Sequence, residues 1–361
     1  MLICQYQFAN TTSGVNLDAR NKLICSTTDN YLLSYGRRFE MDRKIHEAEE
    51  LLPTVRNELM KKGLIDSDET IKLTACHDII LNNAPRNHYI IHCSKTGNKF
   101  FLKLQKKVDN ILHCDEYIQA IYQNEEYMLP HVLVSPFSFH NDIFFITNYI
   151  EGYDLEALDS KLSDEQWIKA AEDIRKQLNM LASIHTSCYS EHNLFFTYGY
   201  PKMFKEKMKT RINHLSLNSY DRSKLQKAYD SSLRILNDSI FSEPSLIHMD
   251  VKPANIIFNP KTEKSSLIDF EFARFGDLDF GIVQVLLTQF NSFSENYKKK
   301  MFPFLTKDFI TFSQACKIPK LKVYLWYQTM CNIIYYYNHS TSCPDEMKNI
   351  FENMLNELSK E

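Results

Sequence analysis

The chain has 361 residues, of which 44% are hydrophobic and 24% charged, and its formal net charge is −3 at pH 7. This is the composition of an ordinary globular protein that is long enough for two domains. The two signs of charge are mixed along the sequence, which argues against nucleic acid or an anionic membrane as a partner, because both would require clustered Lys and Arg.

The nine cysteines form no CxxC pair. This pattern argues against both a disulfide framework and a zinc cluster and favours a reducing cytosol. No apolar run approaches the ~20 residues that a membrane span needs, and the first residues lack the basic and apolar segments of a signal peptide. We therefore expect a soluble cytoplasmic protein.

Residues 1–70 are predicted to form an N-terminal extension of short strands and a helix. Leu2–Phe8 and Lys22–Ser26 have the composition of strands, whereas Met41–Lys62 has helical character. Within that stretch, Pro53 suits the first turn of a second helix because proline has no amide proton. Whether the extension completes a neighbouring sheet or recognises a peptide stays open at this point.

Residues 71–150 are predicted to form a small sheet lobe. Runs rich in β-branched and aromatic residues are bounded by turn residues, and this pattern predicts five strands around one helix. The predicted strands are Ile71–Leu81, His88–Cys93, Lys99–Leu104, Val132–Phe139 and Ile143–Tyr149, and the helix is at 110–124.

Residues 151–361 are predicted to form a mainly helical lobe. The sequence Ser163-Asp164-Glu165-Gln166 has the form of a capping box, and the apolar residues that follow recur at spacings of three and four. Further helices are predicted at 217–238, 278–290, 294–315, 319–338 and 345–359. A β-rich segment at 246–270 interrupts this pattern and contains the strongest chemical signature.

That signature is an HxDxxxxN motif that begins at His248 and includes Asp250 and Asn255, followed by Asp269 and Phe270 after an apolar pair. Phosphoryl transfer needs an oriented acceptor hydroxyl, a held magnesium ion and neutralised phosphate charge rather than covalent help from the protein. Asp250 could accept the proton of the acceptor hydroxyl, while Asn255 and Asp269 could hold Mg²⁺.

Together with Leu267–Gly281, the motif resembles the aminoglycoside phosphotransferase and choline kinase superfamily. The resemblance extends over roughly residues 75–340 and is strongest at the two motifs. It implies the protein-kinase fold, with Asp250 as catalytic base and with Asn255 and Asp269 as magnesium ligands.

Two departures from the family pattern are informative. Lys252 precedes Pro253, a sequence usual in serine/threonine protein kinases. A lysine at this position could neutralise the charge that develops on the transferred phosphoryl group. A solvated lysine is the alternative interpretation. Gly281 stands where the family often has a second aspartate, and Asp279 lies nearby. This departure affects how the following helix is supported and does not affect the chemistry.

The phosphate side of the nucleotide site is predicted from the sheet lobe. Lys103 lies on an apolar strand, where an unpaired charge would be costly, and is the candidate to contact the α and β phosphates. Glu116 is its expected partner, with Asp115 as the alternative. Asn87 ends a glycine-free candidate for the phosphate-covering loop, residues 82–87.

The adenine side is predicted at the end of the sheet lobe. The resemblance places the hinge between the lobes here, and Tyr149 and Ile150 would then present their backbone donor and acceptor to adenine. Gly152 would let the chain turn into the helical lobe.

These features predict an α+β, bilobal, protein-kinase-like fold. Its parts would be an N-terminal extension (1–70), a nucleotide-binding antiparallel sheet lobe (71–150) and a helical catalytic and acceptor-binding lobe (151–361). The predicted activity is Mg²⁺-dependent transfer of the γ-phosphoryl group of ATP, or GTP, to a hydroxyl of a small, aminoglycoside-, choline- or sugar-like molecule.

A small molecule is the favoured acceptor because no Ala-Pro-Glu motif or long loop follows Asp269. Two alternatives remain. One is a kinase that modifies a peptide or protein recognised through residues 1–70. The other is a pseudokinase scaffold, against which the intact set of Lys103, Asp250, Asn255 and Asp269 argues.

Overall fold

The computed structural model describes residues 48–75, 88–105, 129–140, 142–185, 199–217, 220–338 and 342–360. Within these ranges the chain forms two compact units. The sheet unit contains the described residues of 48–105 and 132–149, and the helical unit contains those of 129–131 and 150–360. The finer division into 1–70, 71–150 and 151–361 stays a prediction.

The sheet unit is built on a five-stranded antiparallel sheet with the strand order β1-β2-β3-β5-β4. The strands are β1 (Ile71–Ala75), β2 (Tyr89–Cys93), β3 (Lys99–Gln105), β4 (Val132–Phe139) and β5 (Asp142–Asn148). The predicted antiparallel sheet is therefore confirmed. The predicted helix at 110–124 and the predicted strands before residue 48 lie outside the described residues.

Helix α1, residues 48–61, packs on this sheet. Leu51, Val55 and Leu59 recur every four residues, are at most 2% exposed and share a hydrophobic core with the strands. The helix continues across Pro53, so the prediction that this proline begins a second helix is wrong. Pro53 is exposed, and burial of the leucine and valine on either side of it holds the helix to the sheet.

A buried carboxylate ties the segment after α1 to the sheet. Glu69 is 3% exposed and accepts hydrogen bonds from the amides of Lys95 and Thr96, at 2.8 and 3.2 Å, in the turn between β2 and β3. Arg56 of α1 donates to the carbonyl oxygen of Glu69 at 3.2 Å. The described part of the predicted extension thus belongs to the core of the sheet unit.

The helical unit contains α2 (Asp164–Ala182), α3 (Pro201–Leu217), α4 (Arg222–Asn237), α5 (Leu278–Leu287), α6 (Phe302–Leu305), α7 (Phe312–Ala315), α8 (Pro319–Asn338) and α9 (Asp345–Leu358). The predicted capping box is confirmed at the start of α2. The amide of Gln166 donates to Oγ of Ser163 at 3.2 Å, and the amide of Ser163 donates to Oε1 of Gln166 at 3.1 Å. No described helix is both long and apolar enough to span a membrane.

The single helix predicted at 294–315 is wrong. A π-helical turn at Tyr297–Met301 leads directly into α6, and α7 follows as a separate helix. Pro303 lies in the first turn of α6, where a missing amide proton is tolerated. Thr311 and Gln314 form a second capping box that begins α7. Local capping chemistry therefore divides a segment whose apolar periodicity suggested one helix.

Five short strands surround the HxDxxxxN motif. They are β6 (Tyr153–Asp154), β7 (Ser245–Ile247), β8 (Ile256–Asn259), β9 (Lys264–Leu267) and β10 (Arg274–Gly276). β8 lies between β6 and β9 in one antiparallel sheet, and β7 pairs with β10. Gly152 precedes β6 with φ of +138°, and a Cβ there would lie 2.4 Å from the carbonyl oxygen of Phe258. Only glycine fits where the chain approaches β8 so closely.

Candidate active site

The motif residues lie on a buried loop between β7 and β8, which we call the motif loop (His248–Asn255). Val251 and Ile256 belong to the same hydrophobic core as Trp167 and Ile174 of α2. The amide of Leu246 donates to the carbonyl oxygen of Ile184 at 2.9 Å. A well-packed helix thus holds both ends of the loop in place.

His248 joins the motif loop to the residue that precedes Asp269. The amide of Asp250 donates to Nδ1 of His248 at 3.2 Å, so the imidazole carries its proton on Nε2, which donates to the carbonyl oxygen of Ile268 at 3.0 Å. Burial lowers the pKa of His248 to about 4, so the ring is neutral at physiological pH. It therefore acts as a structural bridge.

Asp250 is 2% exposed, and one of its carboxylate oxygens has two donors. Oδ2 accepts hydrogen bonds from Nζ of Lys252 and from Nδ2 of Asn255, each at 2.8 Å. Met249, the residue before it, has φ of +66°, a left-handed backbone that is uncommon for a residue other than glycine. The loop is thereby turned sharply at the predicted catalytic base.

Lys252 is buried, with 9% of its side chain exposed, so the alternative of a solvated lysine is wrong. Burial alone lowers its pKa. The charge of Asp250, the hydrogen bond to it and the charge of Asp269 outweigh this effect and raise the pKa of Lys252 above its ordinary value. A protonated amine therefore contacts the carboxylate of Asp250.

Asn255 ends a 3₁₀-helix, Pro253–Asn255, and connects three parts of the site. Its Nδ2 also donates to the carbonyl oxygen of Asp250 at 2.9 Å, and its own carbonyl oxygen accepts from the amide of Ile268 at 2.9 Å. Both side-chain hydrogen bonds use the amide nitrogen. Oδ1 is therefore the atom of Asn255 that could coordinate a metal ion.

Asp269 follows β9 in a left-handed conformation, with φ of +64° and ψ of +65°, and precedes a 3₁₀-helix, Phe270–Phe272. The ring of Phe270 packs edge to face on His248, with 4.6 Å between the ring centroids. Ile268, the residue before Asp269, bonds through its backbone to Asn255 and to His248, so the structure brings Asp269 to the motif loop.

These residues fit a magnesium ion. Mg²⁺ takes oxygen ligands, retains several waters and is commonly bound by one or two protein side chains together with substrate phosphates. Oδ1 of Asn255 and the carboxylate of Asp269 supply such oxygens. Among the residues that the structure describes, no group of three or more His, Cys, Asp or Glu side chains could hold a metal, so a site built by the protein alone is not found there.

Sequence reasoning missed the side chains that fix the strand before Asp269. Gln177 of α2 is fully buried; its Nε2 donates to the carbonyl oxygen of Ser265, and its Oε1 accepts from the amide of Leu267, both at 2.8 Å. Asp173 accepts from the amide of Ser265 at 3.0 Å. The available signal was a polar pair, four residues apart, on an otherwise apolar helix face.

Asp277 supports the helix after the second motif. It is 1% exposed, and its Oδ1 caps α5 by accepting from the amide of Asp279 at 3.1 Å. Its Oδ2 accepts from Nζ of Lys320 and from the hydroxyl of Tyr324, each at 2.8 Å. The start of α5, the helix that contains Gly281, is thus anchored to α8 through Asp277.

The predicted nucleotide residues are only partly described. Lys103 lies on β3 opposite Phe145 of β5. Tyr149 ends the sheet unit, with Nζ of Lys99 5.2 Å from its ring centroid, and Ile150 begins the helical unit. The remaining predicted residues, Asn87, Glu116 and Asp115, lie outside the described residues.

The sequence matches a known protein family. The model of the Phosphotransferase enzyme family matches residues 91–299, a range that includes the motif loop and Asp269. A search of curated proteins finds no match for the sequence.

Comparison with solved structures finds the same fold. A thermostable mutant of aminoglycoside phosphotransferase APH(4)-Ia, in a ternary complex with AMP-PNP and hygromycin B, is 13% identical with a TM-score of 0.56, covering 84% of this chain and 98% of that one. The streptomycin-ATP-APH(2")-IIa ternary complex is 19% identical with a TM-score of 0.51, covering 85% and 96%. The GDP and kanamycin complex of APH(2")-IIia is 13% identical with a TM-score of 0.51, covering 85% and 97%. At these identities the similarity establishes the fold alone.

Proposed function

Since this chain belongs to the phosphotransferase enzyme family, we propose that it transfers the γ-phosphoryl group of ATP to a hydroxyl group of a small molecule. The family match covers more than half of the chain and includes both motifs. The observation that carries the proposal is the buried carboxylate of Asp250, whose Oδ2 is held at 2.8 Å by both Lys252 and Asn255.

Asp250 is the proposed catalytic base. Both of its side-chain donors contact Oδ2, so we assign Oδ1 to the proton of the acceptor hydroxyl. As that proton moves to Oδ1, the hydroxyl oxygen forms a bond to the γ-phosphorus, and the bond from this phosphorus to the β–γ bridging oxygen breaks to release ADP. The hydrogen bonds to Oδ2 hold the carboxylate in place while this occurs.

Lys252 is proposed to stabilise the charge on the transferred phosphoryl group. Its ammonium group lies 2.8 Å from Asp250, and its raised pKa keeps it protonated. A positive charge fixed in a buried site is worth more than the same charge in water, because less solvent screens it.

Asn255 and Asp269 are the proposed ligands of Mg²⁺. When bound, the ion would neutralise phosphate charge and supply electrophilic assistance. The protein's own contribution is to fix these two oxygen donors, Asn255 through its hydrogen bonds to Asp250 and Asp269 through the strand that Gln177 holds.

The remaining assignments concern the nucleotide. We propose that Lys103 contacts the α and β phosphates, with Glu116 orienting it, and that Asn87 lies in the phosphate-covering loop. Tyr149 and Ile150 are proposed to pair with adenine through their backbones. Among the structural neighbours, one binds AMP-PNP, one ATP and one GDP, so both ATP and GTP should be tested as donors.

The acceptor is proposed to be an aminoglycoside-, choline- or sugar-like alcohol. The structural neighbours bind hygromycin B, streptomycin and kanamycin. Helix α3, which shares a hydrophobic core with Met249 of the motif loop, carries five basic residues against the single acidic residue Glu206. Because such a helix would repel a polycation, the acceptors tested should include neutral and anionic alcohols as well as amino sugars and choline-like compounds.

The test is transfer of label from γ-labelled ATP or GTP to a panel of amino sugars, choline-like alcohols, sugars, nucleosides and peptides. We expect a labelled small-molecule ester that depends on Mg²⁺ and is absent with the Asp250→Asn variant. Label on peptides alone would favour the protein-kinase alternative. A failure of the protein to bind Mg·ATP at all would favour the pseudokinase scaffold.

A further inference from the structure

A small cavity of about 40 Å³ lies beneath the motif loop. Its walls come from β7, the motif loop, α2 and α5, and include Leu181, Ile247, Met249, Gly281 and Gln284. Since a water needs roughly 10–15 Å³ by this measure, the space is large enough for ordered water.

Two polar groups at this cavity have no partner within the part of the chain that the structure describes. Gln284 is 2% exposed, and its buried Oε1 accepts no hydrogen bond there. The backbone amide of Met249 donates none there either. A buried polar group without a partner costs about 1–3 kcal/mol, so a molecule that donates to Oε1 and accepts from the amide would satisfy both groups.

We propose that an ordered water in this cavity donates to Oε1 of Gln284 and accepts from the amide of Met249, which makes Gln284 a positioning residue for Asp250. Met249 is held in a left-handed conformation, which costs on the order of 1–3 kcal/mol and persists only where its surroundings enforce it. A hydrogen bond to its amide fixes the peptide between His248 and Met249, and so restrains the strained backbone of Met249 from which the Asp250 side chain is directed.

Among the side chains that line the cavity, Gln284 supplies the acceptor for the water. His248 also lines it, but both imidazole nitrogens are already paired, with the amide of Asp250 and the carbonyl oxygen of Ile268. Gly281, one turn before Gln284, has no side chain. A Cβ there would lie 3.0 Å from a methyl carbon of Ile247, so a larger residue would press on the side chain of the strand that leads into the loop. The other lining side chains are apolar.

A high-resolution crystal structure of the full wild-type chain tests the water directly. The expected result is a water within hydrogen-bonding distance of both Oε1 of Gln284 and the amide of Met249. A dry cavity, or a water that contacts only one of the two groups, would overturn the proposal. This outcome does not depend on any variant folding, nor on the enzymatic activity.

Three variants test the positioning role, which rests on the proposed function. Gln284→Met keeps the volume but removes the acceptor, and Gln284→Glu keeps an acceptor. Gln328→Met is the matched control, since Gln328 is equally buried and donates to the carbonyl oxygen of Phe280 in α5 at 2.7 Å but does not line the cavity. Each is assayed for Mg·ATP hydrolysis, for thermal stability and for hydrogen exchange at the Met249 amide.

We expect Gln284→Met to lower kcat by about tenfold with little change in KM for ATP, and to speed exchange of the Met249 amide. Gln284→Glu should recover most of kcat, whereas Gln328→Met should lose stability and keep kcat. Wild-type kcat in Gln284→Met would overturn the positioning role. If the wild-type protein itself hydrolyses no ATP, the proposed function fails, while the crystallographic and exchange results still decide the position of the water.

Discussion

Nδ2 of Asn255 donates a hydrogen bond of 2.8 Å to Oδ2 of Asp250, so the side chain assigned to the metal also holds the side chain assigned to the proton. The two roles are therefore coupled through one amide. Substituting Asn255 should disturb both of them, whereas a substitution at Asp250 can remove the base and leave the metal ligands in place.

Asp250→Asn should preserve binding of Mg·ATP and abolish transfer. The amide is close in size to the carboxylate but cannot take a proton, and general-base catalysis is typically worth about 10²–10⁴-fold. Binding is measured by calorimetry and transfer with the acceptor that the labelled-nucleotide panel identifies. Asp230→Asn, a change at an exposed carboxylate of α4, is the control. Near-wild-type transfer by Asp250→Asn would show that another group is the base.

Asp269→Ala should weaken magnesium-dependent nucleotide binding more than Asn255→Ala does. A carboxylate contributes formal charge to the ion, whereas an amide contributes only a dipole. Asn255→Ala should in addition lower kcat, because it removes two hydrogen bonds to Asp250.

Titrating magnesium at fixed ATP distinguishes these variants. Asn259→Ala serves as the control, since Asn259 is the last residue of β8 and its side chain accepts from the amide of Lys261 in the following turn at 2.9 Å. An identical magnesium dependence in the wild type, Asp269→Ala and Asn255→Ala would contradict the assignment of the metal ligands.

The free energy of unfolding should fall as the pH falls from about 6.5 to about 4. Within this window the unfolded chain binds a proton at residue 248 and the folded chain does not, because burial lowers the pKa of His248 to about 4. A difference of this size corresponds to about 3 kcal/mol, present above the window and lost below it.

Chemical denaturation across this pH range measures the effect. His248→Gln should remove most of the pH dependence, whatever its own stability at neutral pH. The His140 side chain is 70% exposed. His140→Gln should therefore show the same change in unfolding free energy with pH as the wild type. If the unfolding free energies of the wild type, His248→Gln and His140→Gln all changed equally with pH, His248 would not be buried in the neutral form.

Deletion of residues 1–65 should unfold the sheet unit. It removes Leu51, Val55 and Leu59, each worth about 1.5–3 kcal/mol of burial, together with Arg56, which donates to the backbone at Glu69. We expect the truncated protein to be insoluble or to bind ATP poorly, whichever acceptor is used.

Deletion of residues 1–47, which spares α1, separates folding from recognition. If the earlier residues recognise the acceptor, this variant should keep nucleotide binding and raise the acceptor's KM by about tenfold or more, equivalent to about 1.4 kcal/mol of lost uniform binding. A deletion of residues 1–65 that is soluble, with unchanged kinetics toward both substrates, would contradict both roles.

Features encoded by neighbouring residues could be predicted from the sequence. The five strands follow from local alternation and turn residues, and the capping box from Ser163 and Gln166. The motif loop was predictable because the spacing within HxDxxxxN fits one turn-rich segment. The helix predicted at 294–315 failed because capping at Thr311 outweighs a continuing apolar period.

Features that depend on distant pairing could not be predicted. Lys320 reaches Asp277 across 43 residues of sequence, and Gln177 pairs with the backbone of Leu267 across 90 residues. Lys320 leaves no local pattern, since a lysine has the composition of a helix surface. Gln177 leaves only the polar pair on the apolar face of α2, which does not indicate the strand that it contacts. The hydrogen bond between Asn255 and Asp250 was missed for a different reason, because the sequence suggested a separate role for each.

Two non-glycine residues of the site adopt left-handed backbones: Met249, which precedes the proposed base, at φ of +66°, and Asp269, a proposed metal ligand, at +64°. Such conformations persist only where the packing around them enforces them, and ligand-binding loops belong to the less stable parts of a structure. Heating should therefore inactivate the protein at a lower temperature than the one at which its circular dichroism signal is lost. Between those two temperatures, brief cooling should restore full activity, since only the loops beside β7 and β9 have to re-form.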